Sequence, residues 1–437
     1  MRYRLRDLPS LLRSEQGRKS LFLGQVSRFW PLLRIYAAIY RRTILRNVRL
    51  IAVAGSLGKT TTARAAATAV GSRMPDGVSN RRETLVLDLL SYSSRNPYAV
   101  LEAGINGPGI MKGYASMLKP DIVVVTSIAS EHILSFKNLE NTRNEKAEMV
   151  RALTPDKTAI LNADDPNVMW MAQETSARII TCGFSSAADI RASEPNLTSD
   201  GKMTFALIYN GKSWPVSFSI PGRHMVFPVL AAVAVALAQK KDIGDTISNL
   251  EKMQPAEGRM QPVKIPSGAL LIRDGFKSTR ESVWSALETL EQFPGKRKIL
   301  VLGGIAEIFN WEFAEFYPDL GRKIAKAADY AYLTIHTKPF KRCRAAAVES
   351  GIKPENVKKI DLDPVSILPY LPNDLGSGDV ILIKGKTDYK ISRLSLLLMG
   401  RNVKCRLTNC RLGVACKDCE LLEQETEYSA LHGPNRS

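Results

Sequence analysis

A short glycine-rich segment with one lysine and three threonines carries the strongest chemical signal in the chain. An apolar run at 50–54 leads into Gly-Ser-Leu-Gly-Lys-Thr-Thr-Thr at 55–62, and an alanine-rich stretch at 63–70 follows. Glycines at such a turn let the backbone wrap around a phosphate, and N–H groups at the start of the next helix point at it. Lys59 would neutralise the β- and γ-phosphate oxygens. We therefore predict a phosphate-binding loop for ATP between a strand and a helix.

The loop departs from the full pattern G-x-x-x-x-G-K-[ST] at one place, because Val53 stands where its first glycine belongs. A purely structural strand-to-helix turn is the alternative interpretation. Since the lysine and the threonines are in register, we predict ATP binding, with a hydroxyl of Thr60 or Thr61 directed at Mg²⁺. The predicted nucleotide-binding residues of the loop are Gly55, Ser56, Gly58, Lys59, Thr60 and Thr61.

Three ionisable side chains farther along the chain could serve the same site. Glu102 ends an apolar run before a glycine-rich turn, where a carboxylate suits Mg²⁺, although alone it is typical of a surface or capping acid. His132 lies just past another apolar run, which leaves a ligand role open beside a structural one. Lys146, on a predicted helix, would by itself be only a solvated lysine.

The elements around these residues predict an α/β fold. Short apolar runs alternate with helical stretches and end in Gly, Asn, Asp or small polar residues, which favours a mostly parallel sheet covered by helices. We predict a central domain with a phosphate loop and a smaller Rossmann-like C-terminal domain, with an antiparallel insertion at 186–220. The first series of predicted strands is 50–54, 99–102, 122–126, 158–161 and 178–181; the second is 269–272, 298–302, 330–335 and 379–383. The predicted domains are 1–48, 49–245, 246–400 and 401–437.

The chain is strongly basic, and the charge is concentrated at one end. Its 437 residues hold 61 Lys and Arg against 43 Asp and Glu, a net charge of +18, which indicates an anionic partner. Residues 1–49 hold twelve basic and two acidic residues, among several aromatic ones. We predict one or two basic amphipathic helices over 1–48, whose apolar face packs on the body or contacts an anionic membrane surface. Nucleic-acid binding is a weaker alternative.

Composition excludes several classes of protein. A hydrophobic fraction of 45% and a charged fraction of 24% are ordinary for a globular protein, so the chain is neither collagenous nor largely disordered. The longest apolar run, 226–238, contains Pro228 and is too short to span a membrane. The N-terminus lacks the features of a signal peptide. We predict a cytoplasmic protein.

Four of the six cysteines lie close together near the C-terminus. Cys405, Cys410, Cys416 and Cys419 include a Cys-x2-Cys pair, a common half-site for tetrahedral Zn²⁺. The other two spacings are less standard, so an iron–sulfur cluster and free thiols remain alternatives to structural Zn²⁺. Cys182 and Cys343 are predicted to be ordinary structural residues.

Taken together, the motifs over about 50–395 resemble those of the Mur ligases, in the same order. Single motifs are weak, but eight or more in order are specific. They are the phosphate loop, Glu102-Ala-Gly with Pro108-Gly109, Pro120 to His132, Lys146-Ala-Glu, Ile160 to Asp165, Pro221-Gly-Arg-His224, Glu257-Gly-Arg259, Asp274, Leu302-Gly-Gly with Glu307, and Ile383-Lys-Gly385.

The resemblance implies ATP-dependent amide-bond formation. ATP would phosphorylate a carboxylate of a peptide precursor, and the amine of an amino acid or dipeptide would attack the acyl phosphate, in cell-wall precursor synthesis. A P-loop ATPase or switch, or a non-catalytic Mur-like subunit on an anionic surface, is the alternative.

The resemblance also implies roles for single residues. Lys59 would steady the transferring phosphoryl group, Thr60 and Glu102 would hold one Mg²⁺, and His132 a second. Lys146 matches a position that is often carbamylated. The remaining assignments are Asn162 near the adenine or the strand end, Arg259 and Asp274 at ATP, and Lys384 near the incoming substrate.

The sequence also departs from the family pattern. Two amides of a family motif are replaced in His224-Met-Val-Phe-Pro228, and Gly304 stands in place of an aspartate. Asp274 is followed by Gly-Phe-Lys-Ser-Thr-Arg280 in place of the family's Tyr-Asn-Ala-Asn-Pro segment. The 48 residues before the first strand are too few for the usual UDP-sugar domain. We therefore expect intact phosphate chemistry with altered adenine and acceptor contacts.

Overall fold

The computed structural model describes residues 12, 18, 21–22, 24, 27–73, 82–130, 133–361, 363–386, 390–407 and 415–424. His132 and Cys410 lie outside the described residues. The chain divides into two compact units. Of the described residues, those within Val26–Leu197 and Lys202–Ala256 form the phosphate-loop unit, and those within Met1–Gln25, Thr198–Gly201 and Glu257–Ser437 form the C-terminal unit.

The phosphate-loop unit is built on one mixed sheet, parallel over its first six strands. In the described residues the order is β2-β1-β3-β4-β5-β6-β8-β7, with β9 also on β8, and β8 runs antiparallel to all its neighbours. The strands are β1 (Arg49–Ala54), β2 (Tyr98–Glu102), β3 (Ile122–Val125), β4 (Thr158–Asn162), β5 (Arg178–Gly183), β6 (Ile190–Ala192), β7 (Asn196–Leu197), β8 (Met203–Tyr209) and β9 (Lys212–Phe218).

Helices cover this sheet. Residues 51–54 of β1 and all of β3 are buried and almost wholly Val, Ile and Ala, as expected for parallel strands covered on both faces. The apolar helix Val226–Ala238 packs against the helix that follows the phosphate loop and is buried over 226–236. The helices are α1 (Trp30–Thr43), α2 (Lys59–Val70), α3 (Arg82–Leu90), α4 (Met111–Leu118), α5 (Ile133–Phe136), α6 (Leu139–Arg151), α7 (Pro166–Met169), α8 (Val226–Ala238) and α9 (Ile243–Glu251).

A buried ionic cluster ties α1 to the sheet. Asp121, just before β3, accepts hydrogen bonds from Arg41 of α1 (3.0 Å), from Lys157 (2.7 Å) and from the Leu50 N–H (2.9 Å). Arg41 also donates to the carbonyl oxygens of Leu118 and Lys119. Burial by itself would raise the pKa of Asp121, but these donors and cations hold it below its ordinary value. The helix is thus fixed to the amino-terminal ends of the parallel strands.

The C-terminal unit contains a second sheet of the order β10-β11-β15-β12-β13-β14, in which β10 alone is antiparallel to its neighbour. Its strands are β10 (Gln261–Lys264), β11 (Leu270–Asp274), β12 (Arg297–Leu302), β13 (Tyr330–Leu333), β14 (Val357–Lys359) and β15 (Asp379–Lys384). Its helices are α10 (Arg280–Gln292), α11 (Phe313–Ala327), α12 (Thr337–Glu349) and α13 (Ser392–Leu398).

The predicted fold class is confirmed, and every predicted strand overlaps an observed one. The predicted antiparallel insertion at 186–220 contains β6 to β9, and the sequence did not predict β10 and β14, which have four and three residues. Segments this short have no measurable periodicity and form because a neighbouring strand offers hydrogen bonds. The division into four domains remains a prediction.

None of the helices that the structure describes is both long enough and apolar enough to cross a membrane. The apolar run at 226–238 is α8, which lies in the core of the phosphate-loop unit.

Candidate active site

The turn between β1 and α2 is shaped by two glycines with positive φ. Gly55 has a φ of 138°, and a Cβ there would collide with the Thr126 hydroxyl. Gly58 has a φ of 78° and immediately precedes the first residue of α2. Only glycine adopts such conformations without strain, so the loop depends on both. The N–H groups at the start of α2 therefore face the concave side of a tight turn.

The loop after β3 holds this turn in place. The Thr126 hydroxyl donates to the Leu57 carbonyl (2.6 Å), and the Leu57 N–H donates to the Ser127 hydroxyl (3.1 Å). The Ala129 N–H donates to the Ser56 hydroxyl (2.9 Å). Because these hydrogen bonds fix both the Leu57 backbone and the Ser56 side chain, the phosphate loop is preorganised.

Thr60 and Glu102 meet at the start of α2. The Thr60 hydroxyl donates to Glu102 Oε2 at 2.6 Å, and β1 and β2 are adjacent parallel strands. Lys59 is buried and donates to the Ser56 carbonyl at 2.8 Å, which turns the ammonium back over the loop. Thr61 is also buried. A hydroxyl and a carboxylate side by side form a hard-oxygen donor set of the kind Mg²⁺ prefers, so these two residues fit that ion.

Lys146 reaches the same loop from α6. Its Nζ donates to the Gly55 carbonyl (2.5 Å) and to the Ser56 hydroxyl (3.2 Å), and the residue is only 3% exposed. The lysine that alone would pass for a solvated side chain is therefore buried against the phosphate loop. Sequence spacing could not reveal this, because 90 residues separate it from Ser56.

Glu145, beside Lys146, was missed by the sequence reading. Its carboxylate accepts hydrogen bonds from the backbone N–H groups of Gly109 (2.8 Å), Ile110 (2.7 Å) and Met111 (2.7 Å). It thereby caps the N-terminus of α4, where a negative charge is favoured. It also ties α6 to the glycine-rich loop that follows Glu102. A capping acid 34 to 36 residues distant leaves no sequence signal.

Asn162 and Asp165 support the loop after β3 from the next strand. Asn162 Nδ2 donates to the Thr126 carbonyl at 2.8 Å. Asp165 accepts from the Ile128 N–H at 2.8 Å and caps α7 through its other oxygen. Asn162 thus lies at the carboxyl edge of the sheet, and its amide bonds to backbone.

In the C-terminal unit, Asp274 and Lys384 lie at the ends of neighbouring parallel strands. Lys384 Nζ donates to Asp274 Oδ2 at 2.6 Å and to the Lys277 carbonyl at 2.7 Å. The other oxygen of Asp274 accepts from the Met260 N–H. Both residues are buried, so they form an internal ion pair. Arg259 places its guanidinium 4.2 Å from the centre of the Phe276 ring.

The cysteine-rich tail is anchored by a buried arginine. Arg393 is 1% exposed and donates to the carbonyls of Cys405 and Leu407. Over the described part of the chain, no group of three or more His, Cys, Asp or Glu side chains is placed to hold a metal ion. Cys416 and Cys419 are described and Cys410 is not, so the predicted four-cysteine site is not tested.

The two isolated cysteines are buried. Burial raises the pKa of Cys182 far above its ordinary value and that of Cys343 to about 12. Both thiols are therefore unreactive, as expected of structural residues.

Two family models match most of the chain. Residues 53–236 match the Mur ligase middle domain, and residues 258–387 match the Mur ligase, glutamate ligase domain. The chain belongs to the Mur ligase family.

Several relatives have the name UDP-N-acetylmuramoyl-tripeptide–D-alanyl-D-alanine ligase. The chain is 27% identical over 266 residues to the UDP-N-acetylmuramoyl-tripeptide–D-alanyl-D-alanine ligase of Escherichia coli strain K12, covering 60% of this chain and 58% of that protein. The Mycobacterium tuberculosis H37Rv ligase of the same name is 25% identical over 374 residues, with 81% and 73% covered. The chain therefore spans less than two thirds of the length of the E. coli relative.

Two solved structures titled MurF have a fold similar to that of this chain. The crystal structure of MurF from Acinetobacter baumannii superposes with a TM-score of 0.74 at 25% identity, covering 85% of this chain and 81% of that one. A MurF ligase from Thermotoga maritima in complex with ADP has a TM-score of 0.72 at 19% identity, with 85% and 83% covered, and shows the shared fold.

Proposed function

We propose that the protein is an ATP-dependent amide ligase. It forms an acyl phosphate on a carboxylate-bearing peptide precursor, which the amine of an amino acid or dipeptide then attacks, in cell-wall precursor synthesis. The observation that carries the proposal is the contact between the Thr60 hydroxyl and Glu102 beside the buried Lys59. The names of the relatives support the choice of substrates.

In this proposal the phosphate loop provides most of the contacts to ATP. The N–H groups of the loop and of α2, with Lys59, bind and orient the β- and γ-phosphates, and the preorganised turn requires little rearrangement as charge develops. Thr60 and Glu102 would hold Mg²⁺, and His132 would help to hold a second ion. Bound Mg²⁺ supplies charge neutralisation at the phosphate oxygens.

Lys146 has two states in the proposal. As a free amine it donates to Gly55 and Ser56 and stiffens the loop. As a carbamate it becomes a carboxylate beside the hydroxyl of Ser56, a group that suits a cation. Short-chain carboxylates are expected to restore part of the activity of Lys146→Ala if the carbamate operates, and NMR with labelled bicarbonate should then detect it in the unaltered protein. If carboxylates restore no activity and NMR detects no carbamate, Lys146 is not carbamylated.

The other predicted contacts remain part of the proposal. Asn162, Arg259 and Asp274 are candidates for contacts to ATP, and Lys384 for the incoming substrate. The cysteine tail is a candidate for structural Zn²⁺ through Cys405, Cys410, Cys416 and Cys419, which zinc analysis of the purified protein and of Cys410→Ser will decide. We also propose a cytoplasmic enzyme that works peripherally at the inner membrane face, with the basic segment 1–48 as its contact.

The test is ADP release by the full chain, screened against peptide acids and amines, with the mass of the product measured. A ligated product that requires both substrates supports the ligase. ADP release that depends on neither substrate and yields no product would support the alternative, an ATPase or switch. Absence of any turnover across the screen would support a non-catalytic subunit. The control variant is Lys252→Ala, which replaces an exposed lysine of the phosphate-loop unit. It should release ADP at the same rate as the unaltered protein.

A further inference from the structure

Helix α1 is apolar on two opposite faces. Its inner face packs on the phosphate-loop unit through Ala37 and the half-buried Trp30 and Leu33. Five large apolar side chains on or just before the helix are exposed instead: Phe29 60%, Leu32 67%, Ile35 54%, Tyr36 55% and Ile39 54%. A soluble surface helix normally has one apolar stripe, so the second needs an explanation.

The exposed residues form one continuous face. Leu32, Ile35, Tyr36 and Ile39 have the spacing i, i+3, i+4, i+7, which places them on one side of a helix with 3.6 residues per turn. Phe29 extends this face at the N-terminal end. We call these five residues the outer face of α1.

The outer face is held rigidly. The Arg41 guanidinium is bonded to Asp121 and to backbone carbonyls. The Tyr40 hydroxyl donates to the Tyr92 carbonyl at 2.9 Å, and the Trp30 ring lies edge-on to Tyr114 with centroids 6.3 Å apart. Because these contacts all lie on the inner side, the helix can present its outer face without detaching from the unit.

The segment that carries this face has charges of one sign. Residues 27–49 contain six arginines and neither Asp nor Glu. Arg28, Arg42 and Arg46 are exposed; Arg42 lies in the last turn of α1, and Arg28 and Arg46 lie just before and just after the helix. The Arg42 guanidinium donates to the carbonyls of Ala38 and Ser116. Two copies meeting through this face would bring like charges together, which disfavours a dimer. Apolar side chains flanked by arginines match the boundary between acyl chains and anionic headgroups.

We propose that the outer face of α1 docks the protein on an anionic lipid bilayer, with the five apolar side chains at the acyl-chain boundary and the arginines among the headgroups. The inference deepens the peripheral location proposed above and rests on it. It places the anchor on a folded helix that remains packed on the phosphate-loop unit, so the bilayer holds the unit in one orientation.

The test is co-sedimentation of the full chain with vesicles of phosphatidylcholine alone and of phosphatidylcholine mixed with phosphatidylglycerol. We expect binding to the mixed vesicles, weakened by salt, and little binding to phosphatidylcholine alone. Leu32→Ser/Ile39→Ser should lower the partition coefficient at least about tenfold, since two buried apolar side chains are lost. Arg28→Gln/Arg46→Gln should lower it less and reduce its salt dependence.

Leu368→Ser, an exposed leucine of the C-terminal unit, is the control and should bind as the unaltered protein does. Equal binding by Leu32→Ser/Ile39→Ser and the unaltered protein, with thermal unfolding unchanged, would overturn the proposal, as would equal binding to neutral vesicles. Absence of vesicle binding together with a dimer that this double variant dissociates would make the face a protein interface and also overturn it. Ligase activity without vesicles is measured on the same variants. Unchanged activity beside lost binding separates this result from failure of the proposed reaction.

Discussion

The two units differ in where their buried charged residues lie. In the phosphate-loop unit, Lys59, Thr60, Glu102 and Lys146 converge on a turn whose backbone is already fixed by Thr126 and Ser127. In the C-terminal unit, Asp274 and Lys384 bond to each other and to nearby backbone. On the function proposed above, the first group lies at a glycine turn and a helix N-terminus that suit a phosphate, whereas the second is a buried ion pair between two strand ends. We therefore predict that loss of Lys59 acts mainly on ATP turnover, and that loss of Lys384 also lowers the stability of the C-terminal unit.

The largest expected effect is at Lys59. Removal of its ammonium in Lys59→Ala should lower ATP turnover by about 10²–10³-fold or more, because a preorganised donor to developing phosphate charge is lost. Phosphate release is the measurement, and circular dichroism checks the fold. If Lys59→Ala turns over ATP as fast as the Lys252→Ala control, Lys59 does not belong to the site, and the difference drawn between the two units is wrong.

The next effect tests whether the second pair is structural. Lys384→Met leaves the carboxylate of Asp274 buried without its partner, so the C-terminal unit should lose about 3–5 kcal/mol of stability. The double variant Asp274→Asn/Lys384→Met should recover much of that loss. Urea unfolding measures both, with the exposed Lys338→Met as control. A single variant as stable as the control would show that the pair contributes nothing to the fold.

The ionic cluster around Asp121 predicts a pH dependence. Its pKa in the folded chain lies below the ordinary 3.8, so it contributes stability above that value, and the contribution is lost as pH falls through the lower folded pKa. We expect acid to destabilise the phosphate-loop unit, and Asp121→Asn to be less stable at neutral pH and less sensitive to acid. Thermal unfolding across pH measures this. An unchanged acid sensitivity, equal to that of the exposed Asp245→Asn, would contradict it.

The smallest effect is at Glu145. Glu145→Gln weakens the charge-assisted cap of α4 and should cost about 1 kcal/mol of stability. If the cap also positions the loop after Glu102, the Mg²⁺ concentration needed for half-maximal turnover should rise. Glu140→Gln, an exposed acid on the same helix, should do neither. A loss of stability without a change in Mg²⁺ dependence would show that Glu145 stabilises the fold but does not position the loop after Glu102.

Much of the fold followed from patterning. Buried parallel strands are continuous apolar runs, so β1, β3 and β12 could be predicted from their composition. The phosphate loop could be predicted because glycine, lysine and threonine have fixed uses there. The amphipathic character of α1 could also be predicted, but packing on the body and contact with an anionic membrane surface were predicted as alternatives for a single apolar face. In the structure one apolar face packs on the phosphate-loop unit and a second, opposite face is exposed.

By itself, the sequence determined the local chemistry: a turn that only glycines can make, a cation and hydroxyls at a helix start, and strands that must be buried. Tertiary structure decided which distant residues meet. It buried Lys146 against a carbonyl 91 residues away, placed Glu145 on the N-terminus of α4, and paired Asp274 with Lys384 across 110 residues. The reason is that sheet order and helix packing set these distances, and neither is encoded in the spacing of residues along the chain.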